Sequence, residues 1–229
     1  MLALVYDVHG NLPALEAVLA DAQEAGAQRY LLGGDYCLFG AWPLEVLERL
    51  RTLDATWLRG NGERWSADSS DSPPREPLQS GLQACREILD PTTVSELADL
   101  PQSLALDGVL YCHASPHSDV LGFQPEASDD DASLLEGVHE RRVVFGHTHF
   151  QFRRVSAGGV ELVNAGSVGL PFDDDPRAGY ALLRDDSTFE LRRVAYDHHA
   201  SAAALRERFG PWAETVAQRV ELARLVYAP

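Results

Sequence analysis

Side chains with metal-binding chemistry follow several apolar segments that lie far apart in the sequence. They are Asp7, His9, Asp35, Asn61, His113, His147 and His149. Imidazole and carboxylate groups are the ligands that divalent first-row metals favour. The cysteines form no CxxC pair, which argues against a structural zinc site. The residue types therefore indicate a centre for divalent metal ions.

The spacing of these residues suggests a pair of ions. Asp7 and His9 are two positions apart, so their side chains project to the same side of an extended segment. His147 and His149 repeat this spacing. Asp35 has two carboxylate oxygens and could bridge two ions, and neighbouring glycines allow the backbone to approach them closely. We therefore expect a dinuclear site.

Apolar segments and helical patterns alternate in the first quarter of the chain. Residues 2–6, 30–32 and 55–58 are predicted strands, and residues 13–25 and 43–53 are predicted helices. This alternation is typical of a parallel α/β sheet. Because ligands gather at the carboxyl ends of such strands, the metal-binding side chains are expected to meet at one edge.

The second half of the chain is richer in strands. A hairpin is predicted over residues 103–112, and a buried strand over residues 143–145. Four further strands predict a second, antiparallel sheet, at residues 150–155, 160–163, 180–183 and 188–194.

Two other regions complete the predicted organisation. Residues 64–76 are rich in Ser, Asp and Pro, so we interpret them as a surface loop. Helical stretches follow near residues 76–89 and 92–99, and the residues after about 197 predict one or two helices.

The metal-binding motifs occur in an order that resembles the calcineurin-like metallophosphoesterase superfamily. The pattern of that superfamily is D-x-H, G-D, G-N-H-D/E, H and G-H-x-H. The opening Asp7-Val8-His9-Gly10-Asn11 and the later Asn164-Ala165-Gly166-Ser167 are similar to its small prokaryotic phosphoesterase and phosphodiesterase branch. The resemblance covers about residues 1–196.

The resemblance implies a fold and a ligand set. The fold would be a four-layer α/β/β/α sandwich in one domain over residues 1–229, with a helical cap insertion at about 64–100 and a helical tail at about 197–229. One metal would be held by Asp7, His9, Asp35 and His149, and the other by Asp35, Asn61, His113 and His147. Manganese is the expected metal, with iron, nickel, cobalt and zinc as alternatives.

The resemblance also implies a reaction. A hydroxide that bridges the two metals would attack phosphorus, with Asp35, Asn61 and His113 as the catalytic residues. The substrate would be a small phosphoester or phosphoanhydride. We expect a phosphodiesterase; the alternatives are a phosphatase, a dinucleoside-polyphosphate hydrolase or a non-catalytic metal-binding scaffold.

One motif departs from the superfamily pattern. Gly62 stands where G-N-H-D/E has a histidine, which in the superfamily supports the transition state. General acid catalysis contributes typically ~10²–10⁴-fold, and its loss matters most for poor leaving groups. This favours activated diesters over alkyl monoesters. Glu63 and His117 are candidate replacement acids or substrate contacts, each with a plainer role as a surface or helix-start residue. Phe172 stands where relatives often carry an arginine.

Composition limits the remaining functions. The 19 basic residues are all arginines, which excludes Schiff-base and Walker A lysines. A net charge of −16 disfavours general nucleic-acid binding. No apolar run has transmembrane length, and three unpaired cysteines are expected to be reduced thiols in a cytoplasmic protein. The oligomeric state is left open.

Overall fold

Two five-stranded sheets form the centre of the computed structural model, which describes residues 1–228. The strands are β1 Leu2–Val5, β2 Arg29–Leu32, β3 Ala55–Trp57, β4 Ser103–Leu106, β5 Val109–Cys112, β6 Arg142–Phe145, β7 Phe152–Val155, β8 Glu161–Asn164, β9 Ala178–Leu183 and β10 Phe189–Val194. The helices are α1 Leu12–Glu24, α2 Pro43–Arg51, α3 Asn61–Ala67, α4 Leu78–Ile88, α5 Pro91–Ala98, α6 Asp130–Leu134, α7 His198–Arg208 and α8 Trp212–Leu222.

The first sheet has the order β10-β9-β1-β2-β3. The strands β1, β2 and β3 are parallel, as the alternation of strands and helices predicts. The helix between β1 and β2 begins where Asn11 caps it, since the Asn11 side chain accepts a hydrogen bond from the backbone N–H of Ala14. All three strands therefore end at the same edge.

The prediction of a second, wholly antiparallel sheet is wrong. The second sheet has the order β4-β5-β6-β8-β7, and β5, β6 and β8 run parallel to one another. The strands β9 and β10 join the first sheet, where β9 lies antiparallel to β1. Strand β9 is buried along nearly its whole length, which suits a central position between two strands. The closeness of these strands in the sequence predicted a meander, but β9 lies between β10 and β1 in the first sheet.

The two sheets pack face to face. Leu4, Tyr6 and Leu31 from the first sheet meet Tyr111 and Val144 from the second in one buried cluster. The outer face of the first sheet packs against α1 and α2, and the outer face of the second is covered by α6 and neighbouring loops. The four-layer α/β/β/α sandwich is therefore confirmed, with a thin fourth layer.

The region predicted as a surface loop begins as a helix. Helix α3 spans Asn61–Ala67, and its Trp65 is buried with Leu78 and Leu82 against Leu38. The loop prediction for residues 64–76 is therefore wrong at its start, because the apolar face of a helix of about two turns is too short to give a periodic signal. The two predicted helices that follow are present as α4 and α5.

Helices α7 and α8 pack against each other in the C-terminal region. Their buried residues pack with Ala41, in the loop between β2 and α2, and with Leu170, in the loop after β8. Pro229, the last residue of the predicted tail, lies outside the described residues. Within residues 1–228, no helix is both long and apolar enough to cross a membrane.

Candidate metal centre

The loops that follow the strands are joined to one another at one edge of the sandwich. The backbone N–H of Asp7 donates to Gly34 O at 3.1 Å, and that of His9 donates to Asp35 O at 2.9 Å. In the second sheet, the N–H of Gly146 donates to His113 O at 2.8 Å. These bonds fix the turns in which the predicted side chains lie, so the strand ends form one continuous surface.

The backbone at this edge adopts an unusual conformation. Asp7, His9, Asp35, His147 and His149 all have positive φ, between 49° and 65°. Residues other than glycine seldom adopt this left-handed region, and it persists where the surrounding structure enforces it. Such backbone geometry is concentrated at functional sites, and here it turns each side chain toward the same centre.

The Oδ1 atom of Asp7 lies at that centre. It is 3.5 Å from His149 Nε2 and 3.9 Å from both His9 Nε2 and His113 Nε2. The other oxygen, Oδ2, accepts a hydrogen bond from the backbone N–H of His147 at 2.8 Å. Asp7 is fully buried, and Oδ1 has no hydrogen-bond partner within the described part of the chain. A buried carboxylate oxygen without a partner is costly, and a cation would satisfy it.

The two oxygens of Asp35 face different histidines. Oδ2 is 3.7 Å from His9 Nε2, and Oδ1 is 3.6 Å from His113 Nε2. The side chain is 4% exposed, and Oδ1 also accepts a hydrogen bond from the backbone N–H of Gly62 at 2.7 Å. This orientation suits a carboxylate shared by two ions.

Backbone carbonyls orient three of the imidazoles. The Nδ1 atoms lie 2.9 Å from Leu38 O for His9, 2.8 Å from Gly33 O for His113 and 2.5 Å from Leu170 O for His149. Each Nδ1–H donates to its carbonyl, which leaves the Nε2 lone pair directed toward the carboxylates. Histidines that bind metals are oriented in this way by a hydrogen bond from the other ring nitrogen.

Asn61 and His147 complete the predicted set beside His113. Asn61 Oδ1 is 3.0 Å from His113 Nε2, and His147 Nδ1 is 3.3 Å from the same atom. On the other side of Asp7, the Nε2 atoms of His9 and His149 are 3.1 Å apart. All seven side chains therefore lie together, and we call these seven residues the ligand cluster.

Burial sets the protonation of the ligand cluster. It lowers the pKa of His9 and that of His147 to about 3, so both imidazoles are neutral at physiological pH. Burial also acts on His113, but the carboxylates of Asp35 and Asp7 outweigh it and raise its pKa. Burial, reinforced by the charges of Glu63 and Asp7, raises the pKa of Asp35 to about 7. For Asp7 the nearby imidazoles, with His149 foremost, outweigh burial and hold its pKa well below the usual range.

The donor set fits divalent cations. Two groups of ligand atoms each lie within 4.8 Å of one another, namely Asp7 with His9 and His149, and Asp7 with Asp35 and His113. Neutral imidazoles, carboxylates and an amide oxygen suit first-row metals. The unpartnered Oδ1 of Asp7 is the atom that such ions would satisfy.

Two glycines allow this close approach. A Cβ atom at Gly60 would lie 2.3 Å from Asp35 Oδ1 and 2.8 Å from His113 Cε1. A Cβ atom at Gly146 would lie 2.3 Å from Asp7 Oδ2. Neither space admits a side chain, so the carboxylates stay where the histidines can meet them.

Glu63 lies beneath the ligand cluster. Its carboxylate accepts hydrogen bonds from the backbone N–H groups of Asp35 and Gly60 at 2.8 Å and of Tyr36 at 2.9 Å. It is 4% exposed and is absent from the lining of the cleft described below. The structure therefore gives Glu63 a positioning role for the Asp35 and Asn61 loops.

The structure does not bring His117 to the ligand cluster. Its side chain is exposed, and Nε2 lies 2.7 Å from Glu136 O. Phe172, the other departure from the superfamily pattern, does reach the site, where its ring stacks on His149 with centroids 4.5 Å apart. An aromatic ring therefore covers one ligand where an arginine was expected.

A cleft of about 270 Å³ opens over the ligand cluster, of which His9, Asp35, Asn61, His147 and His149 line its inner part. This volume is slightly below the range of small-molecule pockets, which span roughly 300–1,000 Å³. The outer part is formed by side chains from residues 65–78 and from the C-terminal segment. We call these six the outer rim: Trp65, Arg75, Leu78, Arg219, Leu225 and Tyr227.

The sequence predicted a helical cap at about 64–100 but not the individual residues of the outer rim. Its residues follow no motif and come from two segments that are about 140 positions apart. The richness in Ser, Asp and Pro indicated a surface segment but not a binding surface. The one hint in the sequence is that two rim residues, Arg75 and Arg219, are cations in an acidic chain.

The calcineurin-like phosphoesterase superfamily domain matches residues 1–188 of this chain. The chain therefore belongs to the calcineurin-like phosphoesterase superfamily, whose members hydrolyse phosphoesters with divalent metals. The resemblance found in the motifs is confirmed.

Individual proteins agree with this assignment along nearly the whole chain. An uncharacterized protein of Methanocaldococcus jannaschii is 26% identical over 93% of this chain and 95% of its own length. The structure of a metallophosphoesterase from Sphaerobacter thermophilus matches with a TM-score of 0.80 and 25% identity, over 97% of this chain and 98% of that one. A hypothetical protein of Pyrococcus horikoshii OT3 shares the fold, with a TM-score of 0.77 and 20% identity over 96% and 99% of the two chains.

Proposed function

We propose that this protein is a dinuclear metal-dependent phosphodiesterase that acts on a small phosphoester or phosphoanhydride. The ligands of one ion are Asp7, His9, Asp35 and His149, and those of the other are Asp35, Asn61, His113 and His147. Mn²⁺ is the metal that we would supply first. Two such ions would neutralise phosphoryl charge and activate water as the nucleophile.

The placement of the two carboxylates carries this proposal. Asp7 Oδ1 is buried without a hydrogen-bond partner among the described residues, between three imidazole Nε2 atoms. Asp35 directs one oxygen toward His9 and the other toward His113. Two buried carboxylates this close together need compensating positive charge. A pair of ions would supply it.

The protein's own residues prepare the site before any substrate arrives. The carbonyls of Leu38, Gly33 and Leu170 each accept a hydrogen bond from an imidazole Nδ1–H, so three rings are already oriented with Nε2 toward the carboxylates. Glu63 holds the Asp35 loop through two backbone N–H groups. This preorganisation lowers the cost of assembling charge around a phosphoryl group.

The preference for diesters with good leaving groups follows from Gly62. Its N–H donates to Asp35 Oδ1, and a Cβ atom at this position would lie 2.8 Å from that oxygen. Position 62 therefore offers no side-chain proton to a leaving group. Alkoxide leaving groups need that proton most, whereas phenolates and phosphates leave without it.

Residues 65–78 and the C-terminal segment would define the substrate space. We propose that the chain is one domain, in which part of the insertion at about 64–100 acts as a cap. Cys85, Leu89 and Val94 of that insertion pack into the core with α1 and α2, so the cap is limited to its first part.

The first experiment compares bis-p-nitrophenyl phosphate with p-nitrophenyl phosphate as substrates, with Mn²⁺ and after chelation. We expect faster turnover of the diester, loss of activity on chelation and recovery when Mn²⁺ is restored. Asp35→Asn should reduce kcat by at least about 10²–10³-fold, whereas the exposed Asp99→Asn should not change it. Turnover that survives chelation, or a faster monoester reaction, would contradict the corresponding part of the proposal.

A second experiment tests the role of position 62. Gly62→His should raise alkyl monoester turnover relative to Gly62→Ala, because both variants add the Cβ atom and only one adds a proton donor. Equal monoester turnover in the two variants would show that the missing histidine does not set the leaving-group preference.

A further inference from the structure

Arg219 of α8 is the most buried arginine among residues 1–228, at 8% exposure. Its Nε–H donates to Val226 O at 2.8 Å, and it has no carboxylate within ion-pair distance in the described part of the chain. Other little-exposed arginines do have one, since Arg154 pairs with Asp131 and Arg193 with Asp173. A buried guanidinium normally requires such a partner.

Arg75 lines the same cleft from the cap segment. Its side chain is exposed and makes no hydrogen bond or ion pair with any described residue. Burial and the positive charge of Arg75 together lower the pKa of Arg219 to about 10, so the two cations are close enough to repel. Glu76 also lines the cleft, and its carboxylate accepts a hydrogen bond from the Ser80 hydroxyl at 2.9 Å.

Two arginines that line one cleft without an ion-pair partner among the described residues are unusual in so acidic a chain. It contains 35 acidic residues and 19 arginines, so carboxylates are abundant. Two arginines from distant segments nevertheless line one cleft, and neither forms an ion pair with a carboxylate among residues 1–228. Guanidinium groups arranged in this way bind phosphate through charge-assisted, often bidentate, hydrogen bonds.

We propose that Arg75 and Arg219 form a second anion site, which binds a phosphate group of the substrate other than the one at the ligand cluster. The substrate class is then a small organic molecule with two phosphate groups, lying along the cleft between the cluster and the outer rim. The apolar surfaces of Trp65, Leu78 and Tyr227 contact the portion that joins them. This inference rests on the proposed function, because the first phosphate is the one hydrolysed.

The experiment measures binding by calorimetry to the Mn²⁺-loaded protein. The probes are propane-, butane- and pentane-bisphosphonates and the matching alkyl monophosphonates, whose P–C bonds are not phosphoesters. At one chain length or more, the bisphosphonate should bind at least about tenfold more tightly than its monophosphonate. Arg75→Gln and Arg219→Gln should each remove most of that advantage and leave monophosphonate binding unchanged.

Arg75→Gln provides the decisive comparison, because the Arg219 side chain also holds Val226 and its loss could move the C-terminal segment. Arg206→Gln is the matched control, since Arg206 pairs with Glu214 and Glu221 on the neighbouring helix. Equal binding of both probe types at every length, or an advantage that survives Arg75→Gln, would overturn the inference. A bisphosphonate advantage without turnover of bis-p-nitrophenyl phosphate would overturn the proposed function alone.

Discussion

The ligand cluster and the outer rim face the same cleft but are built in different ways. In the cluster, His9, His113 and His149 are each held by a backbone carbonyl, and Asp35 is held by the N–H of Gly62. In the rim, the Arg75 side chain makes no hydrogen bond or ion pair with a described residue, and Leu225 and Tyr227 are 48% and 67% exposed. The cluster is thus held by hydrogen bonds from the strand-end loops, whereas much of the rim is exposed.

This difference predicts a gradient of mutational effects. Changes at the cluster should lower kcat, because the geometry of the reacting groups depends on them. Changes at the rim should alter KM, because they affect contacts away from the reaction centre.

Among the residues that support the ligand cluster without belonging to it, the largest effect is expected for Gly60→Ala. The added Cβ atom would lie 2.3 Å from Asp35 Oδ1, so the carboxylate must move. A displacement of about 1 Å can cost about 10²-fold in rate, and kcat for bis-p-nitrophenyl phosphate should fall accordingly. Gly210→Ala is the control, since nothing lies within 4 Å of its Cβ position. Equal activity of both variants would mean that the cluster is not rigid.

Glu63→Gln should have the next largest effect, a fall of roughly 10–100-fold in kcat, as for residues that orient metal ligands. The amide can accept from fewer of the N–H groups of Asp35, Tyr36 and Gly60. A positioning role predicts the same loss for good and poor leaving groups. A loss confined to poor leaving groups would instead identify Glu63 as a general acid.

Metal affinity should fall with decreasing pH. Asp35 binds a metal only when ionised, and its pKa of about 7 means that protons compete below that pH. The raised pKa of His113 acts in the same direction, whereas His9 and His147 are neutral and do not compete. Below pH 7, Mn²⁺ affinity should drop about tenfold per pH unit for each displaced proton.

Calorimetry of Mn²⁺ binding in buffers of different ionisation enthalpy measures that proton release. Asp35→Asn should reduce the number of protons released at pH 6. Release that is the same in both proteins would show that Asp35 is already ionised in the metal-free protein.

The smallest effect is expected at the rim. Tyr227→Ala removes an aromatic surface from the cleft, where such a contact is worth about 0.5–1.5 kcal/mol. We therefore expect KM to rise about two- to tenfold with kcat unchanged. The exposed Leu106→Ala, which lies on an edge strand away from the cleft, should alter neither constant. A fall in kcat for Tyr227→Ala would place the rim within the reacting geometry.

The cluster could be predicted from the sequence because its residues follow strands directly. Asp7 is two residues beyond β1, and His147 is two beyond β6, so the position of the strand fixes that of the side chain. The sequence singled out Glu63 as a candidate acid or substrate contact but did not predict its positioning role. That role depends on three backbone N–H groups from two separate loops.

Contacts that depend on distant packing could not be predicted. Strand β9 joins the first sheet because of its burial on both faces, although its nearest strands in sequence suggested a meander. Arg219 lines the same cleft as Arg75 because α8 packs against α4, which follows the segment that carries Arg75. No local periodicity encodes either arrangement.

Five residues of the ligand cluster have a left-handed backbone conformation. Each strained residue of this kind costs of the order of 1–3 kcal/mol, and glycine or asparagine would relieve much of it. A library of this chain screened only for thermal tolerance should therefore enrich glycine or asparagine at positions 7, 9, 35, 147 and 149. The same substitutions would remove the ligands. Selection for stability alone would therefore work against the proposed activity.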